Sequence, residues 1–313
     1  MVRVRTKTHR TMHNLTTNFR KFFESILTHC PDLFQYNENC KFYRHVPKLS
    51  DATIIALSLT AESLGIDSEN YFWKKLQTEY QRDFPPLINR CNYNRRRKLL
   101  APLMALVNER LAKKMNEAEN IFIVDSIPIP VCKIAREKRS KVCKEQFETA
   151  PDKGFSAVNQ SYFYGYKMHV VTSVRGIFHS MNITKASVHA IRFLEDVKYS
   201  KLNNCTLIGD RGYLSATHQV DLFTSCKIEL KTPQRSNQKG FKPFTPIFRK
   251  VRKRIETLFS QLCDQFMLKR NYAKSVSGLT TRLLAKMTAV TFLQSFNLAN
   301  NKSINHLKFA LDF

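Results

Sequence analysis

One stretch limits what this chain can become more than any other: Asn120 to Pro130, reading Asn-Ile-Phe-Ile-Val-Asp-Ser-Ile-Pro-Ile-Pro. Ile121, Phe122, Ile123 and Val124 are β-branched or aromatic. A short unbroken run of this kind reads as a strand buried on both faces, here closed by Pro128 and Pro130. Asp125 falls inside that run. A buried carboxylate costs several kcal/mol unless something pairs with it. The ordinary alternative is a strand-end aspartate that caps a turn, so the question is whether the rest of the chain supplies partners.

The chain has 313 residues and 43% hydrophobic content, enough to bury a core in one large domain or two ordinary ones. Lys and Arg number 51 against 25 Asp and Glu, a formal net charge of +26. Such a field attracts polyanions, and nucleic-acid phosphate is the commonest of them. Charge alone also fits a ribosomal protein or a membrane-surface binder. The eight cysteines form no C-x-x-C pair and no zinc-finger spacing, so reduced thiols in the cytosol are expected. Arg3, Arg5, Lys7 and Arg10 are followed by no apolar segment, unlike a secretory signal. No apolar run approaches the roughly 18 residues of a membrane span, and a soluble, cytoplasmic protein is expected.

Residues 1–115 read as helical. Ser50 and Asp51 open a segment with Ile54, Leu57, Ala61 and Leu64 on one face, ending at Gly65. Asp67 or Ser68 caps the next helix, and Pro85-Pro86 breaks the chain. A third helix is expected to start near Asn94 and to run through Arg95, Arg96, Arg97 and Lys98 as far as Leu111. Cations at a helix start oppose its macrodipole, a cost that a nearby anion such as DNA phosphate would remove. A solvated basic face is the alternative.

From residue 120 short strands dominate. Cys132 to about Gln160 reads as a long basic loop, of the length that is usually functional. Tyr162 to Val174 and Ile177 to Thr184 read as a hairpin about Arg175-Gly176, followed by a helix over 187–200. Asn203 to Asp210 is a second short apolar strand ending in a carboxylate. A helix near 215–224, a strand over 226–231 and a basic loop from Thr232 to Pro246 follow. This order favours a mixed sheet with helices packed against it.

Beyond residue 230 the acidic residues are only Glu256, Asp264 and Asp312, among sixteen Lys and Arg. Val251, Ile255, Leu258, Phe259, Leu262 and Phe266 form a helical apolar stripe. Glu256 lies one residue off it, with Arg252 one turn earlier on the same face. An ordinary Glu/Arg helix pair is the local alternative. Three carboxylates brought together would repel by about 4 kcal/mol per pair at 4 Å and an effective dielectric near 20. Asp125, Asp210 and Glu256 therefore ask for a hard divalent cation, and two such ions suit phosphodiester chemistry.

Four motifs carry a resemblance: Ile123-Val124-Asp125-Ser126, Tyr164-Gly165-Tyr166-Lys167-Met168-His169, Gly209-Asp210-Arg211-Gly212-Tyr213, and the run Arg252 to Leu262 that contains Glu256. Asp125 and Asp210 are 85 residues apart, with Glu256 a further 46 on. In this order and spacing the chain resembles the DDE transposases of bacterial insertion sequences, most closely insertion sequence family nine-eight-two. The resemblance implies an α/β, RNase H-like mixed sheet flanked by helices, preceded by an all-helical N-terminal domain. The expected division is a helical DNA-binding region over 1–115, a DDE catalytic domain over 116–300 and a tail over 301–313.

It further implies that Asp125, Asp210 and Glu256 are catalytic and ligate two Mg2+ ions, with Mn2+ able to substitute. Arg252 would touch DNA phosphate, and Arg95, Arg96, Arg97 and Lys98 would bind DNA. Related enzymes often carry a Lys seven residues after the Glu, where this chain has Cys263. The implied partners are double-stranded DNA, its terminal inverted repeats and target DNA, engaged by a homodimer in the bacterial cytosol and nucleoid. Lys167 and His169, of one parity, are expected to be structural, and Tyr213 to pack or contact DNA. An RNase H-like nuclease or resolvase without strand transfer, and a DNA-binding protein derived from an inactive transposase, are the alternatives.

Overall fold

A computed structural model describes residues 15–311 except 85, 235, 236, 238–240, 242 and 244. The N-terminal cations Arg3, Arg5, Lys7 and Arg10, the first proline of Pro85-Pro86, parts of the basic loop over 232–246, and Asp312 lie outside the described residues.

The front of the chain is helical: α1 (Leu15–His29), α2 (Asp51–Ser63), α3 (Glu69–Glu79), α4 (Arg90–Leu99) and α5 (Ala101–Met115). Ser50 caps α2, its side chain accepting from the Thr53 N–H at 3.1 Å. Of the two candidates for the α3 cap, Ser68 fills the role through the Tyr71 N–H. Gly65, just beyond α2, has φ +64 and approaches the Gln265 carbonyl so closely that a Cβ would lie 2.8 Å from it. The third helix departs from expectation. Asn89 caps it, and it ends at Leu99, with a new helix carrying Pro102 in its first turn. Arg96, Arg97 and Lys98 therefore occupy the last turn of α4, where the macrodipole favours cations, rather than a helix start where it would oppose them.

The second half builds one six-stranded mixed sheet among the described residues, in the order β2-β3-β1-β5-β6 with β4 also on β3. Its strands are β1 (Ile121–Cys132), β2 (Asp152–Ser156), β3 (Ser161–Ser173), β4 (Phe178–Lys185), β5 (Cys205–Ile208) and β6 (Ile228–Lys231). The expected hairpin is β3–β4, turning at Gly176 with φ +82. Two expectations fail instructively. Pro128 and Pro130 do not close β1, which runs through both to Cys132. Beyond Ile123 the β5 side of β1 is unpaired, and an open edge tolerates a residue without an N–H. The long basic loop also contains β2, which forms a hairpin with the start of β3 through the short turn over 157–160.

Side-chain alternation along β1 splits the interior in two. Phe122 and Val124 join Phe193, Leu207, Leu222 and Ile228 beneath α6 (Phe193–Val197) and α7 (Ala216–Cys226). Ile123, Ile127 and Ile129 face a larger core that is continuous with the front helices, α8 (Pro246–Asp264) and α9 (Val276–Ala299). α9 is apolar nearly all round and lies against α1, α2, α4, α5 and β4. Its Arg282 and Lys286, exposed by only 4% and 0%, close on buried Glu62 of α2. Among the described residues no helix is long and apolar enough to cross a membrane.

Candidate active site

β1 and β5 are parallel neighbours, with Ile123 opposite Ile208. Asp125 and Asp210 each follow those partners by two residues. The two carboxylates therefore follow the same register point on adjacent strands, at the same end of the sheet. Asp125 shares its parity with Ile123, which directs it to the side of the sheet occupied by α8. That helix lies on β1 through Ile255, Leu258 and Leu262, and carries Arg252 and Glu256.

Each aspartate is held by its own backbone. Asp125 Oδ1 accepts from the Ser126 N–H at 2.7 Å, and Asp210 Oδ1 from the Gly212 N–H at 2.8 Å. Asp210 thereby caps a single helical turn, Arg211–Tyr213. The glycines flanking it have steric reasons. A Cβ at Gly212 would lie 2.9 Å from Asp210 Oδ1, and one at Gly209 would lie 3.1 Å from Tyr213 Cβ and 3.2 Å from Val124 Cγ1. Tyr213 is buried and pins the turn, its hydroxyl 3.2 Å from His169 Nδ1.

His169 is fully buried, stacks on Phe193 at 4.8 Å and reaches Thr184 Oγ1 at 2.9 Å through Nε2. Burial depresses its pKa to about 3, so the ring is a neutral strut. Lys167 hydrogen-bonds the Val188 carbonyl at 2.8 Å. Both residues have the structural placement expected of them, on the face of β3 opposite Asp125. The Tyr213–His169 support was not identified as part of the site from sequence; the glycines around Asp210 were the available signal.

Asp125 is electrostatically unusual. Burial pushes its pKa up to about 6, and the nearby charges of Asp210 and Glu256 act in the same direction. The Ser126 N–H and Arg252 oppose the shift. Arg252 is a distant counter-charge, with Nη2 at 3.9 Å from Asp125 Oδ2 and with Nε buried and unpartnered. Glu256 lies exposed on α8, and among the described residues no three Asp, Glu, His or Cys side chains close on a common point. The donor set nevertheless fits a hard divalent cation, because it is all oxygen, converges from two adjacent strand ends and lacks a close positive partner.

The basic run of α4 stands apart from these carboxylates, in the helical front. Arg96 donates to the Leu49 carbonyl and to Asp51 Oδ1, both at 2.6 Å. Arg97 is buried, paired with Glu69 at 3.1 Å and placed over the Tyr93 ring. Arg95 is exposed and Lys98 half-buried. Cys263, seven residues after Glu256, is half-buried.

Two aspartates thus follow the end of the pairing between neighbouring strands, and a glutamate lies on the basic helix α8 packed on β1. The family model described as Transposase DDE domain matches residues 116–292, and the chain belongs to this transposase family. A search of curated proteins and a search of solved structures found no match. The family implies a DNA substrate, and its members generally use divalent metal ions.

Proposed function

We propose that the protein is a DNA transposase that cuts the ends of an insertion sequence and joins their 3′ hydroxyls to target DNA, with Asp125, Asp210 and Glu256 as its catalytic residues. The observation that carries this reading is the paired exit of Asp125 and Asp210 from β1 and β5, at the level fixed by Ile123 opposite Ile208. In this reading the sheet and its two helical layers form an RNase H-like core. The four sequence motifs favour insertion sequence family nine-eight-two.

The three carboxylates would hold two Mg2+ ions, which when bound supply charge stabilisation to an in-line phosphoryl transfer. The remaining work falls to the chain. The Ser126 and Gly212 N–H groups fix the directions of Asp125 and Asp210, so neither carboxylate must be ordered at the moment of reaction. Arg252 sits where it can trade its long contact to Asp125 for a phosphate of the scissile strand. Water attacks the phosphodiester at the element's end, leaving a free 3′ hydroxyl and a 5′ phosphate; that hydroxyl then attacks a target phosphodiester and displaces the target strand's own 3′ hydroxyl. The helical front supplies recognition of the terminal repeats, with Arg95 and Lys98 the outward members of the α4 run. Joining two ends in one event calls for a homodimer on DNA.

The test is an assay of end-containing duplex and target plasmid in Mg2+. Joined products from the wild type, absent with Asp125→Ala or Glu256→Ala, support strand transfer. Cleavage without joining points to a nuclease or resolvase, and retained cleavage by either variant sinks the assignment.

A further inference from the structure

The residues assigned above leave one basic, aromatic surface unused. From Tyr164 onward β3 is flanked by β1, but Ser161, Tyr162 and Phe163 pair with β2 alone. β2 and the start of β3 thus form a two-stranded arm beyond the body of the sheet. On it Phe155 and Tyr162 are direct cross-strand partners, and their rings meet edge to face with centroids 5.2 Å apart. A pair of this kind normally closes over apolar surface. Here Phe155 is 48% and Tyr162 60% exposed. The Lys153 ammonium lies 4.9 Å from the Tyr162 ring centre. Further along the same edge Phe147 is 87% exposed, with the Lys185 ammonium 5.6 Å from its ring.

Lys185 lies opposite Tyr166, four residues along β3 from Tyr162, about 14 Å at 3.4 Å per residue. That is the length of about four stacked nucleotides. A ligand for such an edge must offer flat apolar faces and negative charge at the same interval. An apolar protein surface would cover the rings only by stranding the ammonium groups. Duplex DNA satisfies the charges but hides the faces of its bases. A strand of unpaired nucleotides satisfies both.

We propose that the β2–β3 arm is a binding site for single-stranded DNA, in which Phe155 and Tyr162 stack on unpaired bases while Lys153 and Lys185 hold the flanking phosphates. Tyr162, Tyr166 and Val170 share one face of β3, and Val170 lies opposite Asp125. The arm therefore stands about 27 Å along that face from the candidate centre, at 3.4 Å per residue. It would take up a strand opened at a processed DNA end. The identity of that DNA rests on the transposase reading, whereas the affinity for unpaired nucleotides does not.

The experiment uses the full chain in EDTA, so that binding is read without cleavage. Fluorescein-labelled oligothymidine and a fully paired duplex of equal length are titrated against the wild type and against Phe155→Ala/Tyr162→Ala. Both side chains are exposed, so the variant should fold normally, and circular dichroism checks it. The double variant should lose at least about tenfold in affinity for the single strand while its duplex affinity changes by no more than about twofold. Phe155→Trp should retain binding, with the fluorescence of the added indole quenched at saturation. Unchanged affinity for oligothymidine, an equal loss on both DNAs, or an unquenched indole would each overturn the site. Any of these leaves the carboxylate chemistry standing, and an Asp125→Ala protein that still cuts DNA would remove that chemistry while leaving the arm.

Discussion

Two carboxylates in this molecule, Glu62 buried and Asp125 half-buried, have opposite fates. Glu62, in the helical front, is 1% exposed, and burial alone would drive its pKa up. The Lys286 ammonium and the Arg282 guanidinium, with Arg97 beyond them, instead hold it down at about 2. Lys286 also donates to the Phe266 carbonyl and Arg282 to the Asp67 carbonyl, so the cluster is closed on itself. Asp125 is held by one backbone N–H and a guanidinium at 3.9 Å, and burial pushes it up to about 6. The first carboxylate is finished within the fold. The second lacks a close cation, and that difference separates a structural carboxylate from one held for a ligand.

The comparison can be broken in several ways. The largest effect is expected at the second carboxylate: Asp125→Ala should reduce Mg2+-dependent DNA cleavage on the order of a thousandfold or more in a single-turnover assay, with the fold intact by circular dichroism. Glu62→Ala leaves Arg282 and Lys286 buried without their partner. It should cost about 3–5 kcal/mol in denaturant unfolding, as broken buried pairs do. If Glu62→Ala were as harmless as a surface change, the closed cluster would not be structural.

The acid limb should follow Glu62 as well. Its folded pKa, about 2, lies below the ordinary 4.5. The unfolded chain therefore takes up a proton first as pH falls. The contribution of Glu62 is complete above about pH 4.5 and drains away toward pH 2. Unfolding free energies of Glu62→Gln, measured across that window, should fall less steeply than those of the wild type. The smallest effect is expected for Asp125→Asn, which removes an uncompensated charge and should change stability by no more than about 1 kcal/mol, in the stabilising direction.

The sequence made the site's carboxylates visible because each sits against an unmistakable background. Asp125 and Asp210 end apolar strands, and Glu256 borders an apolar helical stripe. Their common level on β1 and β5 was not readable, since register is a property of pairing between residues 85 apart. The same limit hid the fate of Arg96 and Arg97, whose partners Asp51, Leu49 and Glu69 lie far back in the chain. α9 gave no amphipathic period because it is buried on nearly every side. β2 is too short to announce itself without β3, and the prolines of β1 are tolerated only because that edge is open.

The account turns on whether Asp125, with Arg252 no nearer than 3.9 Å, marks a cation site. Calorimetric titration of Mn2+ into the full-length protein, wild type against Asp125→Asn, tests that most directly. The account predicts saturable binding by the wild type, accompanied by a rise in melting temperature, and both lost in the variant. Equal Mn2+ affinity in the two proteins would contradict it.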